Sequence, residues 1–373
     1  MTTVTVTRPV RRRPVFHPLP VSGLDRLTDD ALAITFAVPG DLRDTYAFQA
    51  GQHVTVRWSG ASSDADIRRS YSISSTPAEL AVTGRLRIGV KEIPGGVFSA
   101  YAATGLRVGD AMEVLPPLGH FTTAFDPARV RRYGAVVAGS GITPVLSLVA
   151  TALSVERSST FTVLYGNRTA STVMFAEDLA DLKDRYPDRL HVIHVLSREV
   201  SDSELLSGRI DAPRLHRLLD ALVPEATDEW FLCGPYAMVV DARGVLAERG
   251  VPETALHTEL FHVPEAGAAA ATTPAPAATG QGEVTVTVRL DGRESLVTMG
   301  RGERVLDAAL RVRAELPYSC RGGVCSTCRA KVVEGEARMV RNWALEPGDV
   351  AAGYVLTCQA QPLTDTLTVD YDA

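Results

Sequence analysis

The chain has 373 residues, 45% of them hydrophobic and 22% charged, with a formal net charge of −6. That length suggests two or three domains, each long enough to bury a core of its own. The sequence has no apolar run of the about 18 residues a bilayer span needs, and a mildly acidic surface does not attract nucleic acid or anionic lipid, so neither a membrane nor a nucleic acid is expected as a partner.

Residues 1–14 carry Arg11, Arg12 and Arg13 with no apolar segment behind them, and read as a solvated tail rather than a secretory leader. Residues 14–125 then fall into short strand-like runs, Ala31–Phe36, Gly51–Trp58, Arg69–Ser74, Gly84–Lys91 and Ala111–Leu115, broken by Gly and Pro turns. This texture predicts a small antiparallel β-barrel, with the domain set at 1–128. In the third run Arg69, Tyr71 and Ile73 share one face. The run is either plain barrel with an exposed arginine, or a place where Arg69 meets a phosphate, Tyr71 a flat heterocycle and Ser72 its polar edge. Pro94 to Ser99 reads as a simple turn, or as a glycine turn that binds a pyrophosphate ahead of a short helix.

From Tyr133 to Phe261 apolar runs at 134–138, 161–165, 190–196, 230–233 and 255–260 are spaced by helical stretches, which predicts βαβ units and a parallel sheet over 129–263. Gly139-Ser140-Gly141-Ile142-Thr143-Pro144 joins the first run to a helix, with Thr143 expected as the cap and Pro144 as the first helical residue. The glycines would let a dinucleotide pyrophosphate approach the helix N-terminus, although Pro144 replaces the last glycine of G-x-G-x-x-G and a plain strand-to-helix turn competes with this reading. No acidic residue ends the next strand. Arg168 and, one strand later, Ser197-Arg198 stand there instead. A guanidinium suits a ribose 2′-phosphate, where a carboxylate would select the free hydroxyl; either arginine also reads as an ordinary solvated charge. Cys233 ends a buried run, and Gly234-Pro235 breaks it at the carboxyl end of the sheet, where open α/β folds bind ligands. A lone buried cysteine is otherwise a small hydrophobe.

Residues 264–282 contain only small residues, Pro, Gln and Glu, and read as a linker of intermediate stiffness. The unit expected after it, 283–373, opens with strands Val284–Leu290 and Glu294–Met299 around Asp291-Gly292, followed by a helix at Val305–Val312, the makings of a compact α+β, β-grasp unit. Four of the five cysteines lie here, Cys320, Cys325, Cys328 and Cys358, spaced C-x4-C-x2-C-x29-C. That is the plant-type [2Fe–2S] arrangement. Three thiolates on one tight loop let backbone N–H groups point at cluster sulfurs, and Gly322 and Gly323 are expected to supply the left-handed turns. Zinc would ask for paired CxxC or CxxC…HxxxH spacing, and the Ser-Thr between Cys325 and Cys328 has no thioredoxin-like setting. Cysteines placed so unevenly make no disulfide framework, which argues for a reducing, cytoplasmic compartment.

Together these motifs resemble the ferredoxin–NADP⁺ reductase superfamily fused to a plant-type ferredoxin, over about Pro14 to Tyr371. The resemblance implies FAD, NADPH and a [2Fe–2S] cluster. It implies that Arg69, Tyr71 and Ser72 hold the FAD phosphate, stack on the isoalloxazine and hydrogen-bond its reactive edge. Val90 and Lys91, with Gly95, Gly96, Val97, Phe98 and Ser99, would line the FAD ribose and pyrophosphate. Gly139, Ser140, Gly141, Thr143 and Pro144 would form the nucleotide turn, Cys233, Gly234 and Pro235 would set the nicotinamide against the flavin, and Glu259 and Phe261 would close the site. Ser72, Cys233 and Glu259 are then the expected catalytic residues. Unlike the stacking aromatic of stand-alone reductases, Phe261 does not end the chain.

Within the superfamily, Tyr165–Arg168, Ser207–Asp211, Gly322–Cys325 and the stretches Asn342–Pro347 and Gly353–Gln359 resemble the reductase components of phenylacetyl-CoA epoxidases, whose di-iron oxygenase would accept the electrons. Reductases of Rieske dioxygenases and of steroid hydroxylases use the same modules and form the alternative. NADPH gives two electrons as a hydride and the cluster takes one at a time, so the flavin would be the adaptor. The reading from another class is a redox sensor without turnover. Rapid bleaching of flavin and cluster bands by NADPH separates the two.

Overall fold

A computed structural model describes residues 15–59, 66–199, 203–223, 226–261 and 282–373, in two compact units, one within Phe16–Ala271 and one within Thr272–Ala373. The expected tail at 1–14 and the expected linker, but for Gly282, lie outside the described residues. Among the described residues no helix is long and apolar enough to cross a membrane.

The first unit begins with six antiparallel strands, β1 (His17–Thr28), β2 (Ala31–Ala37), β3 (His53–Trp58), β4 (Ile67–Ser72), β5 (Arg85–Lys91) and β6 (Ala111–Leu118), and two short helices, α1 (Pro77–Thr83) and α2 (Val97–Thr104). The strand order is β4-β3-β6-β1-β2-β5. An Ile73↔Ile88 bridge and a bond from the Ser74 N–H to the Arg87 carbonyl (2.8 Å) draw the two edges together, so the sheet closes as a barrel around Leu19, Ile34, Phe36, Val54, Ile88 and Val90. Strand β1 does not stand out in the sequence because Pro18 and Pro20 interrupt it. Its stretch His17–Pro20 pairs only with β6, and β2 takes over from Val21, so the prolines sit where the strand has one neighbour and the missing N–H groups cost no ladder bond.

The same unit continues with a five-stranded sheet, β7 (Arg132–Ala138), β8 (Thr160–Asn167), β9 (Leu190–Leu196), β10 (Glu229–Cys233) and β11 (Leu256–Glu259), with α3 (Ile142–Val155), α4 (Ala176–Arg185), α5 (Ala212–Leu222) and α6 (Tyr236–Glu248) between them. The order is β11-β10-β7-β8-β9 and every pairing is parallel. The chain winds one way from β7 and the other way at β10, so the carboxyl ends of these neighbours form the crevice where open α/β sheets hold ligands. Glu156, wholly buried just after α3, accepts hydrogen bonds from Tyr133 (2.9 Å), from the Ser159 hydroxyl (2.6 Å) and from the Asp126 N–H (3.1 Å), which satisfies its oxygens and ties the helix to the sheet.

The barrel seats directly on this sheet. Arg87 of β5 pairs with Asp178 of α4 at 2.5 Å, and the Ser147 hydroxyl of α3 donates to the Ser75 carbonyl at 2.7 Å. A Cβ on Gly89 would fall 2.9 Å from Thr143 Oγ1 and 3.0 Å from the Phe175 ring, so only glycine allows β5 this close to the start of α3.

A titratable pair marks the edge of the parallel sheet. Glu229 opens β10 with 14% of its side chain exposed, 3.3 Å from the ring of His257 on β11. The hydrogen bond from His257 holds the Glu229 carboxyl below its ordinary 4.5, against the opposing effect of burial. A carboxyl held low stabilises the fold above its unfolded value and loses that contribution as pH falls through its folded value. The advantage of the parent chain over Glu229→Gln in thermal midpoint is therefore expected at pH 7 and should shrink toward zero as the pH is lowered past 4.5. Calorimetric scans across that range check it; an advantage that grows in acid would be the wrong sign.

The second unit holds β12 (Glu283–Leu290), β13 (Arg293–Gly300), α7 (Val305–Ala309), β14 (Arg329–Glu334), β15 (Ala337–Met339), α8 (Pro347–Ala351), β16 (Tyr354–Leu356), β17 (Ala360–Pro362) and β18 (Thr366–Asp370). Its sheet runs β13-β12-β18-β14-β16, with β12 and β18 parallel, and β15 pairs with β17 apart from it. The hairpin turns at Asp291 (φ 55°) and Gly292 (φ 68°), as its sequence predicts. The helix is shorter than expected and gives way to turns after Ala309.

Candidate functional site

In the second unit the loop between α7 and β14 carries Cys320, Cys325 and Cys328, and Cys358 follows β16. Three residues of the loop adopt left-handed backbone: Gly323 (φ 79°), as expected, and the non-glycines Arg321 (φ 53°) and Ser326 (φ 52°); Gly322 does not. Glycine is enforced at 323 by crowding as well, since a Cβ there would lie 3.0 Å from the Gln359 side chain and 3.3 Å from the Arg341 carbonyl. This winding turns N–H groups inward. Gly322 N (3.3 Å) and Val324 N (3.5 Å) donate to Cys320 Sγ, and Cys320 N donates to Cys325 Sγ (3.5 Å).

Gln359 Nε2 donates to the Arg321 carbonyl at 2.7 Å, and Thr357 Oγ1 donates to the Cys328 carbonyl at 2.9 Å, so both residues beside Cys358 are tied to the loop. Cys325, Cys328 and Cys358 are buried and Cys320 is half-buried. The sulfurs form a chain of neighbours, Cys325 to Cys320 to Cys358 to Cys328. The Cys320 contact and burial push the Cys325 thiol well up. Four crowded thiols, three of them buried, can ionise together only against positive charge, and two thiolates for each of two irons suits this chain of neighbours. The residues therefore fit a [2Fe–2S] cluster.

In the first unit the flavin motif lies on β4. Arg68 is 3% exposed, paired with Asp66 at 2.6 Å and facing the Phe16 ring, whereas Arg69 beside it is exposed and available to a phosphate. Tyr71 packs against Phe98 with ring centroids 5.5 Å apart. Ser72 is buried, and its hydroxyl donates to Glu259 Oε2 at 2.9 Å. Glu259 ends β11 directly beside Cys233, whose thiol burial, and then the Glu259 charge, push well up and so keep protonated. Sequence reasoning missed His53, which pairs with Ser72 across β3 and β4 and brings Nδ1 to 3.9 Å from Glu259 Oε1. Its only signal is its place at the head of a strand. Gly119 leaves room for it, since a Cβ there would be 2.8 Å from His53 Nδ1.

At the pyrophosphate turn Gly95 is left-handed (φ 75°) and Gly96 caps α2, where a Cβ would strike Ile93 and Ser99 at 2.5 Å. The Ser99 hydroxyl is spent locally, donating to the Gly96 carbonyl (3.0 Å) and accepting from Ile93 N (3.3 Å). Val90 and Phe98 are core residues, Val97 is exposed, and Lys91 lies 3.3 Å from Asp30.

At the nucleotide turn Gly139 is left-handed (φ 54°), and Gly139–Gly141 forms one tight helical turn that runs straight into α3. This corrects the expected cap. The helix starts at Ile142, Gly141 occupies the cap position, Pro144 is its third residue, and the Thr143 hydroxyl donates back to the Ser140 carbonyl at 2.8 Å. A Cβ on Gly141 would fall 2.1 Å from the Cys233 carbonyl, so β10 and the turn touch backbone to backbone. Gly234 is equally confined, by Met238 (2.6 Å), and Pro235 caps α6.

Past the ends of β8 and β9, the bonds Ser197 N to Asn167 O (2.9 Å) and Arg198 N to Arg168 O (2.8 Å) hold the two strand ends together. Arg168 and Arg198 line one cleft with Thr169, Ser171 and Asp30. Phe261 lies beyond β11 and is 42% exposed.

Three family descriptions match the chain: the oxidoreductase FAD-binding domain over residues 18–123, the oxidoreductase NAD-binding domain over 136–244 and the 2Fe-2S iron-sulfur cluster binding domain over 288–363. The chain is 46% identical to one of the subunits of the 1,2-phenylacetyl-CoA epoxidase of Escherichia coli (strain K12), over 96% of this chain and 98% of that one. It is 33% identical to the 3-ketosteroid-9-alpha-monooxygenase ferredoxin reductase component of Rhodococcus rhodochrous, over 100% of both. Among solved structures, phthalate dioxygenase reductase shares the fold at 21% identity and a TM-score of 0.54, covering 95% of this chain and 98% of its own. An intact type IV self-sufficient cytochrome P450 monooxygenase does so at 24% identity and 0.67, covering 96% of this chain and 43% of its own.

Proposed function

Because the chain belongs to the family of oxygenase reductase components that join FAD-, NAD- and 2Fe-2S-binding domains, we propose that it passes electrons from NADPH to a di-iron phenylacetyl-CoA epoxidase. It is an NAD(P)H-dependent oxidoreductase that donates to an oxygenase. The choice of acceptor is supported by 46% identity over nearly the whole chain; a Rieske or steroid oxygenase is the second reading, supported by the 33% identical steroid-system relative. The proposed domain limits are 1–128, 129–263 and 283–373, with a linker at 264–282, and the three matched ranges support them. A reducing cytoplasm is the proposed compartment, supported by cysteines placed too unevenly along the chain to make a disulfide framework.

The observation that carries the internal chemistry is the 2.9 Å bond between Ser72 and Glu259, because it joins the barrel's flavin motif to the carboxyl ends of β10 and β11. When bound, FAD converts a hydride into single electrons and the [2Fe–2S] cluster carries them one at a time. Arg69 would hold the FAD phosphate, and Gly95 and Gly96 its pyrophosphate. Gly139, Ser140 and Gly141 would present N–H groups to the nucleotide pyrophosphate. Ser72 would direct its hydroxyl at the flavin edge with Glu259 orienting it, and the buried Cys233 would offer a neutral surface to the nicotinamide. Cys320, Cys325, Cys328 and Cys358 would hold the cluster. Anaerobic mixing with NADPH should bleach the flavin and then the cluster, and adding the epoxidase oxygenase component should yield epoxide. Flavin that stays oxidised would end the internal reading; epoxide formation that fails while a Rieske component is reduced would transfer the chain to the second reading.

For the nucleotide, Arg198→Ala is expected to lower kcat/KM for NADPH by about one to two decades, the worth of a charge-assisted contact to phosphate. NADH kinetics should barely move. Equal losses with both nucleotides would mean that Arg198 does not read the 2′-phosphate.

A further inference from the structure

Asp30 stands in the turn between β1 and β2, on the barrel, yet its partners belong to both cofactor regions. Its Oδ2 lies 2.6 Å from Arg168 Nη2 beyond β8, its Oδ1 lies 3.3 Å from Lys91 Nζ at the end of β5, and Thr28 Oγ1 donates to Oδ1 at 2.9 Å. The carboxylate lines the same cleft as Arg198 and the Thr169 and Ser171 hydroxyls. We propose that Asp30 sets the nucleotide specificity of this reductase by competing with the 2′-phosphate for Arg168. This rests on reading Arg168 and Arg198 as the 2′-phosphate ligands.

Arg168 can turn its guanidinium toward Asp30 or toward an incoming phosphate, and the pair is open enough for exchange, with 46% of the arginine and 31% of the aspartate side chain exposed. A phosphate arriving between the two arginines meets the Asp30 charge at close range, and like charges at that distance repel. Lys91 gives the displaced carboxylate somewhere to go, which lets the exchange proceed without stranding a charge. Burial raises the Asp30 carboxyl, but Thr28, Lys91 and Arg168 together hold it below its ordinary value, so it is ionised at neutral pH. A nucleotide that lacks the 2′-phosphate presents nothing for Asp30 to oppose. The residue thus acts on NADPH and not on NADH, and it narrows a preference that the two arginines alone would make wide.

The test is calorimetric binding of adenosine 2′,5′-bisphosphate and of AMP to the FAD-loaded full chain, with flavin absorbance as the control for folding and for the nearby Lys91. Asp30→Asn should tighten the bisphosphate roughly three- to tenfold and leave AMP within about twofold, as fits a partly exposed charge pair. In an Arg168→Gln background the same change should gain less, because only the charge repulsion is left to relieve. If Arg168→Gln weakens the bisphosphate while Asp30→Asn leaves it unchanged or weakens it too, the competition is overturned and the phosphate site stands. If neither Arg168→Gln nor Arg198→Gln alters the bisphosphate, the phosphate reading fails and the proposal falls with it.

Discussion

Replacing Cys325 with serine is expected to abolish the rhombic electron-spin resonance signal of the [2Fe–2S] cluster while FAD stays bound. The side chain is 6% exposed, within bonding reach of Cys320, and its sulfur accepts the Cys320 N–H at 3.5 Å. Serine keeps the shape but removes the soft thiolate that iron needs, and it leaves a hydroxyl buried among three thiols. The loss should be complete for reduction of any acceptor that depends on the cluster. Reduction of ferricyanide by NADPH should persist, because the cores of the first unit share no residue with that of the second. Resonance spectra and flavin absorbance on the same sample check both halves. A persisting signal would remove Cys325 from the ligand set, and loss of both cofactors would mean the two units do not fold apart.

The second large effect is expected at Glu259. Truncation to alanine takes away the acceptor of the Ser72 hydroxyl and the charge beside the buried Cys233, which leaves Ser72, 4% exposed, free to rotate away from the flavin edge. Positioned proton-handling groups contribute about two to four decades, so flavin reduction by NADPH should slow by about two decades or more in Glu259→Ala. Glu259→Gln keeps an oxygen for Ser72 and should lose less. Ser72→Ala removes the hydroxyl that donates to this carboxylate and should cost about tenfold or more. Nucleotide affinity should change little in all three, because none touches the Arg168 cleft. Anaerobic stopped-flow traces give the rates, and a Glu259→Ala chain that reduces its flavin at the parent rate would leave the carboxylate a packing role only.

What could be read in advance follows from how each feature is built. The gathering of the four cysteines was legible because three of them lie on one loop, where spacing in the chain is close to spacing in space. The parallel sheet was legible because its strands are continuous apolar runs, and β9, Leu190–Leu196, falls where the periodicity put it. Strand β1 was not, because its prolines look like breaks until β6 is known to be its only neighbour there. His53 and Asp30 were illegible for a different reason. Each acts on a partner more than a hundred positions away, Glu259 and Arg168, and nothing in the local sequence of a strand head or a turn announces such a contact. The capping error has a local cause. Thr143 and Pro144 look like a helix start, but Gly139–Gly141 already forms a helical turn and starts the helix ahead of them.

The position of β18 in the second unit governs when that unit can exist at all. Thr366–Asp370 lies between β12 and β14, parallel to one and antiparallel to the other, and Tyr371 just after it donates to Thr357, which in turn donates to the Cys328 carbonyl. Without this strand nothing in the sheet joins β12 to β14, so a segment that already contains all four cysteines still cannot close its sheet. Closure of the sheet by β18 is therefore expected to precede stable capture of a cluster by the four thiols, because Thr357, which ties Cys358 to the loop, is itself held from Tyr371.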